Sequence, residues 1–171
     1  FFNDPKIELI QGGLTRAESV MNALSSIELN NYDYVLTHDV ARPNIEVDDI
    51  KQIIENIVNN NSDCSFFHTP VRDSIKQVSR SSDATMNKDN YYLVQTPQIC
   101  NSQKLFNALK IFIDQGINIP DESFVMEKMN YSLSKVKGKS SYIKITFAED
   151  LHLLQKFNTR TGIGYDLHTY K

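Results

Sequence analysis

A carboxylate, a guanidinium and an imidazole lie close together in the stretch Thr37-His38-Asp39-Val40-Ala41-Arg42-Pro43. The apolar run before it, over residues 32–37, predicts a buried strand, and a helix is predicted to begin near Ile45. Ligands bind at the carboxyl ends of strands in open α/β sheets. There Asp39 can hold a cation or a hydroxyl group, and Arg42 can bind a phosphate with its planar guanidinium. A turn with a surface ion pair explains the same two residues when they are considered alone.

The composition is that of a globular domain. The chain has 171 residues, 40% hydrophobic and 23% charged, which is about one domain. A net charge of −3 gives no electrostatic reason to expect a nucleic-acid or membrane partner. No apolar run approaches the ~20 residues that span a bilayer. Cys64 and Cys100 lack metal-ligand spacing, so we expect free thiols and a cytoplasmic location.

The first part of the chain predicts alternating strands and helices. Thr15 and Glu18 have the spacing of a capping box, which predicts the start of a helix. The apolar residues between Ile50 and Val58 recur with the period of a second, amphipathic helix. Strands are predicted over residues 6–10, 32–37 and 65–68. This β-α-β-α-β order predicts a parallel sheet with right-handed crossovers.

The second part departs from that order. Strands are predicted over residues 74–78 and 91–95, around a polar loop at 79–89, and together they suggest an arm outside the main sheet. Ser102 is predicted to cap a helix that ends with Gly116 at the C′ position. The remaining predictions are helices over 121–129 and 148–157 and strands over 132–136 and 142–145.

Single features of the chain are weak functional signals. Gly12-Gly13 can form a plain turn, or can let the backbone approach a ligand at a helix N-terminus. Asp166 and His168 would face one side of a strand, which suits two ligands of one divalent metal, but the spacing is unspecific. The basic residues at element ends are individually typical of a solvated surface: Arg16, Arg42, Arg72, Lys76, Lys88 and Lys144.

Several short motifs taken together are far more specific. In order and spacing they resemble the 2-C-methyl-D-erythritol 4-phosphate cytidylyltransferase family, the CTP-using enzymes of non-mevalonate isoprenoid biosynthesis. The resemblance covers roughly residues 5–157. The motifs are Gly12-Gly13 with Arg16 and Ser19; His38 to Pro43; Pro70-Val71-Arg72-Asp73-Ser74; Thr96-Pro97-Gln98; Asp121-Glu122-Ser123; and Ile143-Lys144-Ile145-Thr146 with Glu149-Asp150-Leu151.

The resemblance implies a fold and a reaction. The fold is α/β, a Rossmann-like nucleotidyltransferase (nucleotide-diphospho-sugar transferase) fold with a protruding β-arm through which a homodimer forms. The reaction transfers CMP from CTP, with Mg²⁺, to methylerythritol phosphate and releases pyrophosphate. Because the attacking phosphate is already ionised, no strong general base is needed. We therefore expect structural rather than catalytic roles for His38 and His68.

The resemblance also assigns roles to individual residues. Lys88 and Lys144 position the methylerythritol phosphate, and Lys88, which replaces a family Arg, acts across the dimer interface. Ser74 replaces a family Thr and keeps its hydroxyl, whereas Pro120 replaces a Thr and loses one. The implied substrate-binding residues are Asp39, Arg42, Ser74 and Thr96, and the implied nucleotide-binding residues are Gly12, Gly13, Arg16 and Ser19.

The two ends of the chain suggest a longer protein. Arg160 to His168 resembles the start of the 2-C-methyl-D-erythritol 2,4-cyclodiphosphate synthases, in which an Asp and a His like Asp166 and His168 bind a divalent metal, here expected to be Zn²⁺. We therefore predict a cytidylyltransferase domain over 1–158 and the first strand of a fused synthase over 159–171. The family's Gly-rich nucleotide loop and its βα unit are missing, so we expect this internal piece to be inactive alone.

Two alternatives remain at the level of sequence. Ribitol-5-phosphate cytidylyltransferases share these motifs, although a fused synthase belongs with isoprenoid synthesis. The second alternative is not an enzyme: it is a domain without catalytic activity that serves as a dimerising scaffold for the synthase. An upstream Gly-rich loop would argue against the scaffold.

Overall fold

A computed structural model describes residues 4–80 and 82–152. In these residues the strands are β1 (Tyr34–Thr37), β2 (Cys64–Pro70), β3 (Ile75–Gln77), β4 (Ala84–Met86), β5 (Tyr92–Asn101) and β6 (Leu133–Lys137). The α-helices are α1 (Arg16–Ser25), α2 (Val47–Asn59), α3 (Ser102–Asp114) and α4 (Glu122–Lys128). Short 3-10 turns cover Leu29–Asn31 and Lys88–Asn90. None of the described helices is long and apolar enough to cross a membrane.

The main sheet is mixed rather than parallel. Its strand order is β1-β5-β2-β6, in which β5 is antiparallel to both β1 and β2, and β6 is parallel to β2. The prediction that the first part of the chain forms a parallel sheet was therefore wrong in its strand pairing, because β1 and β2 are not neighbours. The strands β1 and β2 do share a direction, but the chain returns from the arm and inserts β5 between them.

Helices cover both faces of this sheet. Phe66 belongs to a core with residues of α1, α3 and α4, whereas Phe67 belongs to a second core with residues of α2. The predicted apolar face of α2 is confirmed in part, since Ile53 and Ile57 are fully buried in the second core, whereas Ile54 and Val58 are 43% and 56% exposed. Each such side chain contributes about 1.5–3 kcal/mol by its burial. The site described below therefore rests on a sheet that is packed from both sides.

The helix caps match the predicted ones except at the start of α3. The capping box of Thr15 and Glu18 is present at the start of α1, and Gly116 follows α3 with the predicted positive φ of 66°. The N-cap of α3 is Asn101, whose Oδ1 accepts the Lys104 N–H at 3.0 Å. Ser102, the predicted cap, instead donates its hydroxyl to the Tyr32 carbonyl.

The arm and three other predicted segments also differ. The arm is a hairpin of β3 and β4, so the polar loop predicted over 79–89 contains a strand, whereas residues 92–95 belong to the main sheet. Residues 6–10 and 142–145 are not strands. Ile145 makes a backbone bond to the Ala41 carbonyl at 2.8 Å instead of joining a ladder. Of the predicted helix over 148–157, residues 150–152 are helical and residues 153–157 lie outside the described residues. Asp166 and His168 also lie outside them.

Candidate functional site

The carboxylate of Asp39 lies at the centre of a cluster of three cations. Its Oδ1 is 3.2 Å from the Nε of Arg16, and its Oδ2 is 3.1 Å from the Nζ of Lys144 and 3.6 Å from the Nε of Arg42. These residues come from the start of α1, the loop after β1 and the segment after β6. The structure thus brings together four residues to which the sequence resemblance assigned substrate or nucleotide contacts.

The charges stabilise the ionised form of this carboxylate. Burial by itself raises the pKa of Asp39, but the hydrogen bond from Lys144 and the charge of Arg16 outweigh it, and the pKa lies below its ordinary value. The Asp39 side chain is 13% exposed, whereas that of Lys144 is 48% exposed. The Lys144 ammonium can therefore reach a ligand while still contacting Asp39.

Glu122 holds the Arg16 guanidinium in a bidentate ion pair. The two N–H···O distances are 2.7 and 3.0 Å, and the Glu122 side chain is 1% exposed. Burial lowers the pKa of Arg16, but Glu122 and Asp39 more than offset this and raise it above its ordinary value. Sequence reasoning missed the role of Glu122. It lay in a quoted motif, but nothing local shows that it pairs with a residue so far away along the chain.

Arg42 is fixed between the strand end and a later loop. Its Nη1 donates to the Tyr142 carbonyl at 2.6 Å, and its backbone N–H donates to the Asp39 carbonyl at 2.9 Å. Tyr142 is buried in the second core, so its carbonyl is an immobile acceptor. The guanidinium is placed by the Tyr142 carbonyl and by the Asp39 carboxylate, 3.6 Å from its Nε, which preorganises it to bind an oxyanion.

The hydroxyl of Thr96 joins β5 to the same loop. It accepts the Asp39 N–H at 3.0 Å and lies 3.2 Å from the Nδ1 of His38. The Nε2 of His38 lies 2.9 Å from the Arg42 carbonyl. The structure therefore connects Thr96, which the sequence placed in the substrate pocket, to the backbone of both charged residues of the motif.

The backbone of Gly12 and Gly13 packs closely against the start of α1, where Ser19 lies. The Gly13 N–H donates to the Ser19 Oγ at 3.0 Å, and Ser19 donates to the Thr15 carbonyl at 2.9 Å. A Cβ at Gly13 would lie 2.3 Å from the Cβ of Glu18, closer than two such atoms can approach. The backbone at Gly13 is therefore packed against the helix, which requires glycine there.

Three cavities border the cluster of charged residues: Asp39 lines two of them, and Arg42 and Lys144 line the third. One of about 620 Å³, between α1 and β1, is lined by Ser19, Arg16 and Asp39 among others. One of about 1020 Å³ is lined by Arg42, Lys144, Arg72 and Ser74. A small one of about 110 Å³ contains the cluster itself together with Thr96. Ser19 therefore lines a cavity that Ser74 does not, whereas Arg16, Arg42, Lys144 and Thr96 share the small cavity with Asp39.

Lys88 lies apart from this cluster. It is in the turn after β4, where its ammonium donates to the Arg72 carbonyl at 2.7 Å, and it is not among the residues that line the three cavities. Its predicted action across a dimer interface stays a prediction. His68 likewise lies away from Asp39, packed edge-to-face on Tyr92 at 5.2 Å between ring centroids.

The cluster is suited to bind phosphate groups. Arg16, Arg42 and Lys144 carry three positive charges, and Asp39 and Glu122 carry two negative ones, which leaves one net positive charge. Guanidinium groups bind phosphates through two parallel hydrogen bonds. Among the residues that the structure describes, no three His, Cys, Asp or Glu side chains are grouped as metal ligands. The chemistry that this arrangement favours is the alignment of polyanions.

Comparisons with known proteins show which family the chain resembles. The family model of 2-C-methyl-D-erythritol 4-phosphate cytidylyltransferase, IspD, matches residues 1–160. Over 162 residues the chain is 37% identical to the Haemophilus influenzae (strain PittGG) 2-C-methyl-D-erythritol 4-phosphate cytidylyltransferase, which covers 94% of this chain and 70% of the relative. It is 33% identical over 168 residues to the bifunctional enzyme IspD/IspF of Pelagibacter ubique, covering 97% of this chain and 43% of that protein.

A solved structure is similar throughout the fold. The 2-C-methyl-D-erythritol 4-phosphate cytidylyltransferase of Francisella tularensis matches with a TM-score of 0.82 and 29% identity, covering 91% of this chain and 74% of that chain. The predicted α/β nucleotidyltransferase fold is thereby confirmed. In length the chain spans less than half of the bifunctional relative and about two thirds of the single-function one.

Proposed function

Because the chain belongs to the 2-C-methyl-D-erythritol 4-phosphate cytidylyltransferase family, we propose that this protein transfers CMP from CTP to 2-C-methyl-D-erythritol 4-phosphate. The products are 4-diphosphocytidyl-2-C-methyl-D-erythritol and pyrophosphate, within non-mevalonate isoprenoid biosynthesis. The observation that carries the proposal is the cluster of Arg16, Arg42 and Lys144 around Asp39, which borders two cavities.

The reaction brings two polyanions into contact. A phosphate oxygen of the sugar alcohol forms a bond to the α-phosphorus of CTP, and the bond from that phosphorus to the pyrophosphate oxygen breaks. The attacking oxygen is ionised near neutral pH, so the protein supplies alignment and charge stabilisation. Lys144, half exposed beside Asp39, is placed to bind the incoming phosphate. Arg16 and Arg42 stabilise the negative charge that develops around the α-phosphorus.

The proposed residue roles follow the cavities. Gly12, Gly13 and Ser19 would bind the nucleotide beside the cavity next to α1, because Ser19 lines it. Ser74 lines the larger cavity with Lys144, where its hydroxyl would donate to the sugar phosphate.

Mg²⁺ enters this proposal as part of the nucleotide substrate. The Asp39 carboxylate is surrounded by three cationic side chains, and the described residues offer no three-ligand metal site. A Mg²⁺ ion bound to the triphosphate oxygens would neutralise charge on the leaving pyrophosphate. Zn²⁺ at Asp166 and His168 of a fused synthase is a separate proposal, supported by the similarity to the bifunctional IspD/IspF enzyme.

We also propose a cytoplasmic homodimer formed through the arm. The hairpin of β3 and β4 pairs with no other strand of the described chain, and two-stranded hairpins are marginally stable alone. Val78, in the loop that joins β3 to β4, is 80% exposed, and Leu93, in β5, is 57% exposed. In the dimer Lys88 would reach the partner's sugar-phosphate site.

The test is Mg²⁺-dependent pyrophosphate release from CTP by the complete protein. Methylerythritol phosphate and ribitol 5-phosphate are offered separately. We expect release with methylerythritol phosphate alone, and a decrease in kcat/KM of at least about 100-fold in Lys144→Ala. Lys110→Ala, at an exposed lysine of α3, is the matched control and should behave as wild type. Release with ribitol phosphate alone would show that the protein is a ribitol-5-phosphate cytidylyltransferase. No release with either substrate would favour the dimerising scaffold without catalytic activity.

A further inference from the structure

His38 contacts two parts of the site at once. One ring nitrogen, Nε2, lies 2.9 Å from the Arg42 carbonyl, and the other, Nδ1, lies 3.2 Å from the Thr96 hydroxyl. We propose that His38 is a positioning residue, whose imidazole holds the Arg42 carbonyl and sets the direction of the Thr96 hydroxyl. This inference rests on the proposed function, because it concerns the same reaction.

The contact with the Arg42 carbonyl selects the tautomer of a neutral His38 ring. A backbone carbonyl only accepts, so the Nε2 of His38 must carry a hydrogen. The neutral ring then has a bare Nδ1, which accepts. The Thr96 hydroxyl has one proton to give, and it gives it to that nitrogen. The opposite neutral tautomer would place two lone pairs against each other at the Arg42 carbonyl.

This arrangement determines what Thr96 offers to a ligand. Its proton is used by His38, and one lone pair of its oxygen accepts the Asp39 N–H at 3.0 Å. One lone pair remains for the small cavity that Thr96 lines with the charged cluster. With neutral His38, Thr96 therefore presents an acceptor, which suits a hydroxyl group of the substrate rather than an ionised phosphate oxygen.

The bond to Arg42 acts on the other side of the site. The chain turns sharply between His38 and Arg42, closed by the Arg42 N–H bond to the Asp39 carbonyl at 2.9 Å. The Nε2 bond to the Arg42 carbonyl closes the turn a second time. Without it, the guanidinium would depend on its own contacts with Asp39 and Tyr142 for its place.

Two substitutions separate the two bonds of the ring. Asn places its Oδ1 near the position of Nδ1, so His38→Asn keeps the acceptor for Thr96 and loses the donor to Arg42. Gln places its Nε2 near the position of the ring Nε2, so His38→Gln keeps that donor and loses the acceptor. His38→Ala loses both. His152→Asn and His152→Gln, at an exposed histidine, control for the substitutions themselves.

The kinetic test uses the complete protein and steady-state rates with methylerythritol phosphate. We expect His38→Ala to lower kcat/KM by about 10- to 100-fold. His38→Asn should recover the KM for methylerythritol phosphate, and His38→Gln should recover kcat, while both keep the wild-type melting temperature within a few degrees. Equal losses in all three variants, or no loss in His38→Ala, would overturn the proposal.

A second measurement does not depend on activity. Long-range ¹H–¹⁵N spectra of the [¹⁵N]histidine-labelled complete protein show which ring nitrogen of each neutral histidine carries the proton, and His38→Gln identifies the His38 signals. We expect the Nε2–H tautomer, and a change in the Nδ1 shift in Thr96→Val. The Nδ1–H tautomer would overturn the proposal even if the enzyme is active. The expected spectrum from a protein that releases no pyrophosphate would uphold the hydrogen-bond network, and the failure would then lie in the proposed function.

Discussion

Replacing Glu122 with Gln should lower the free energy of unfolding strongly, although the two side chains have nearly the same shape. Glu122 is 1% exposed and accepts two hydrogen bonds from Arg16, at 2.7 and 3.0 Å. Gln can accept only one of them, and its NH₂ group would face an Arg16 N–H, donor against donor. The substitution also leaves the Arg16 charge without its bidentate partner.

The expected magnitude follows from these contacts. Hydrogen bonds to charged groups contribute about 1.5–3 kcal/mol each, and removing one partner of a fully buried ion pair costs about 3–5 kcal/mol. The Arg16 side chain is 32% exposed, so water replaces part of what is lost. We therefore expect the free energy of unfolding to fall by about 2–3 kcal/mol.

The assay is urea unfolding at pH 7, followed by circular dichroism, of wild type and variant. Glu127→Gln is the matched control, because Glu127 lies in the same helix, α4, and is exposed. Its free energy of unfolding should stay within about 0.5 kcal/mol of wild type. If Glu122→Gln were as mild as this control, the Arg16–Glu122 pair would not hold the site in the way described.

Three further predictions concern the site and the core. Because the pKa of Asp39 is lowered below its ordinary value of 3.8, its ionised form stabilises the fold above that value. The stability gap between wild type and Asp39→Asn should therefore narrow as the pH falls below about 4, and a constant gap in acid unfolding curves would contradict this. Gly13→Ala should lower the melting temperature more than Gly12→Ala, because the new Cβ would lie 2.3 Å from Glu18 rather than 3.1 Å from the Ser19 hydroxyl; equal effects would argue against the close packing of Gly13 on α1. Both cysteines are buried, so within minutes a thiol reagent should label them in urea-unfolded protein and leave them unlabelled in native protein. Rapid labelling of the native protein would show that the sheet opens at these residues.

Local patterns predicted the parts of the fold that local forces determine. The Thr15–Glu18 capping box, the burial of Ile53 and Ile57 in α2 and the glycine after α3 each depend on neighbours within a few residues, and each is confirmed. The strand β4 was missed because its three residues, Ala84–Met86, are too few to establish an alternating pattern within a polar stretch. Residues 142–145 have a strand-like pattern, but they make a loop contact to Ala41 instead of joining a ladder.

Long-range features were beyond the reach of sequence patterns. Nothing near Tyr92–Asn101 indicates that this strand inserts between β1 and β2, since strand neighbours are chosen by the packing of the whole sheet. The Arg16–Glu122 pair joins residues 106 positions apart. The family resemblance selected Asp39, Arg42, Thr96 and Lys144, which the structure places together, but it did not indicate the roles of Glu122 or His38 in holding them.

The most direct test of the proposed cytidylyl transfer is ³¹P NMR of the complete protein with CTP, Mg²⁺ and methylerythritol phosphate. We predict that the methylerythritol phosphate and CTP signals disappear together, and that a new diphosphate and free pyrophosphate appear in equal amounts. The Lys144→Ala variant should form both far more slowly than Lys110→Ala. Pyrophosphate released without a new diphosphate, or a diphosphate formed with ribitol phosphate and not with methylerythritol phosphate, would contradict the proposed function.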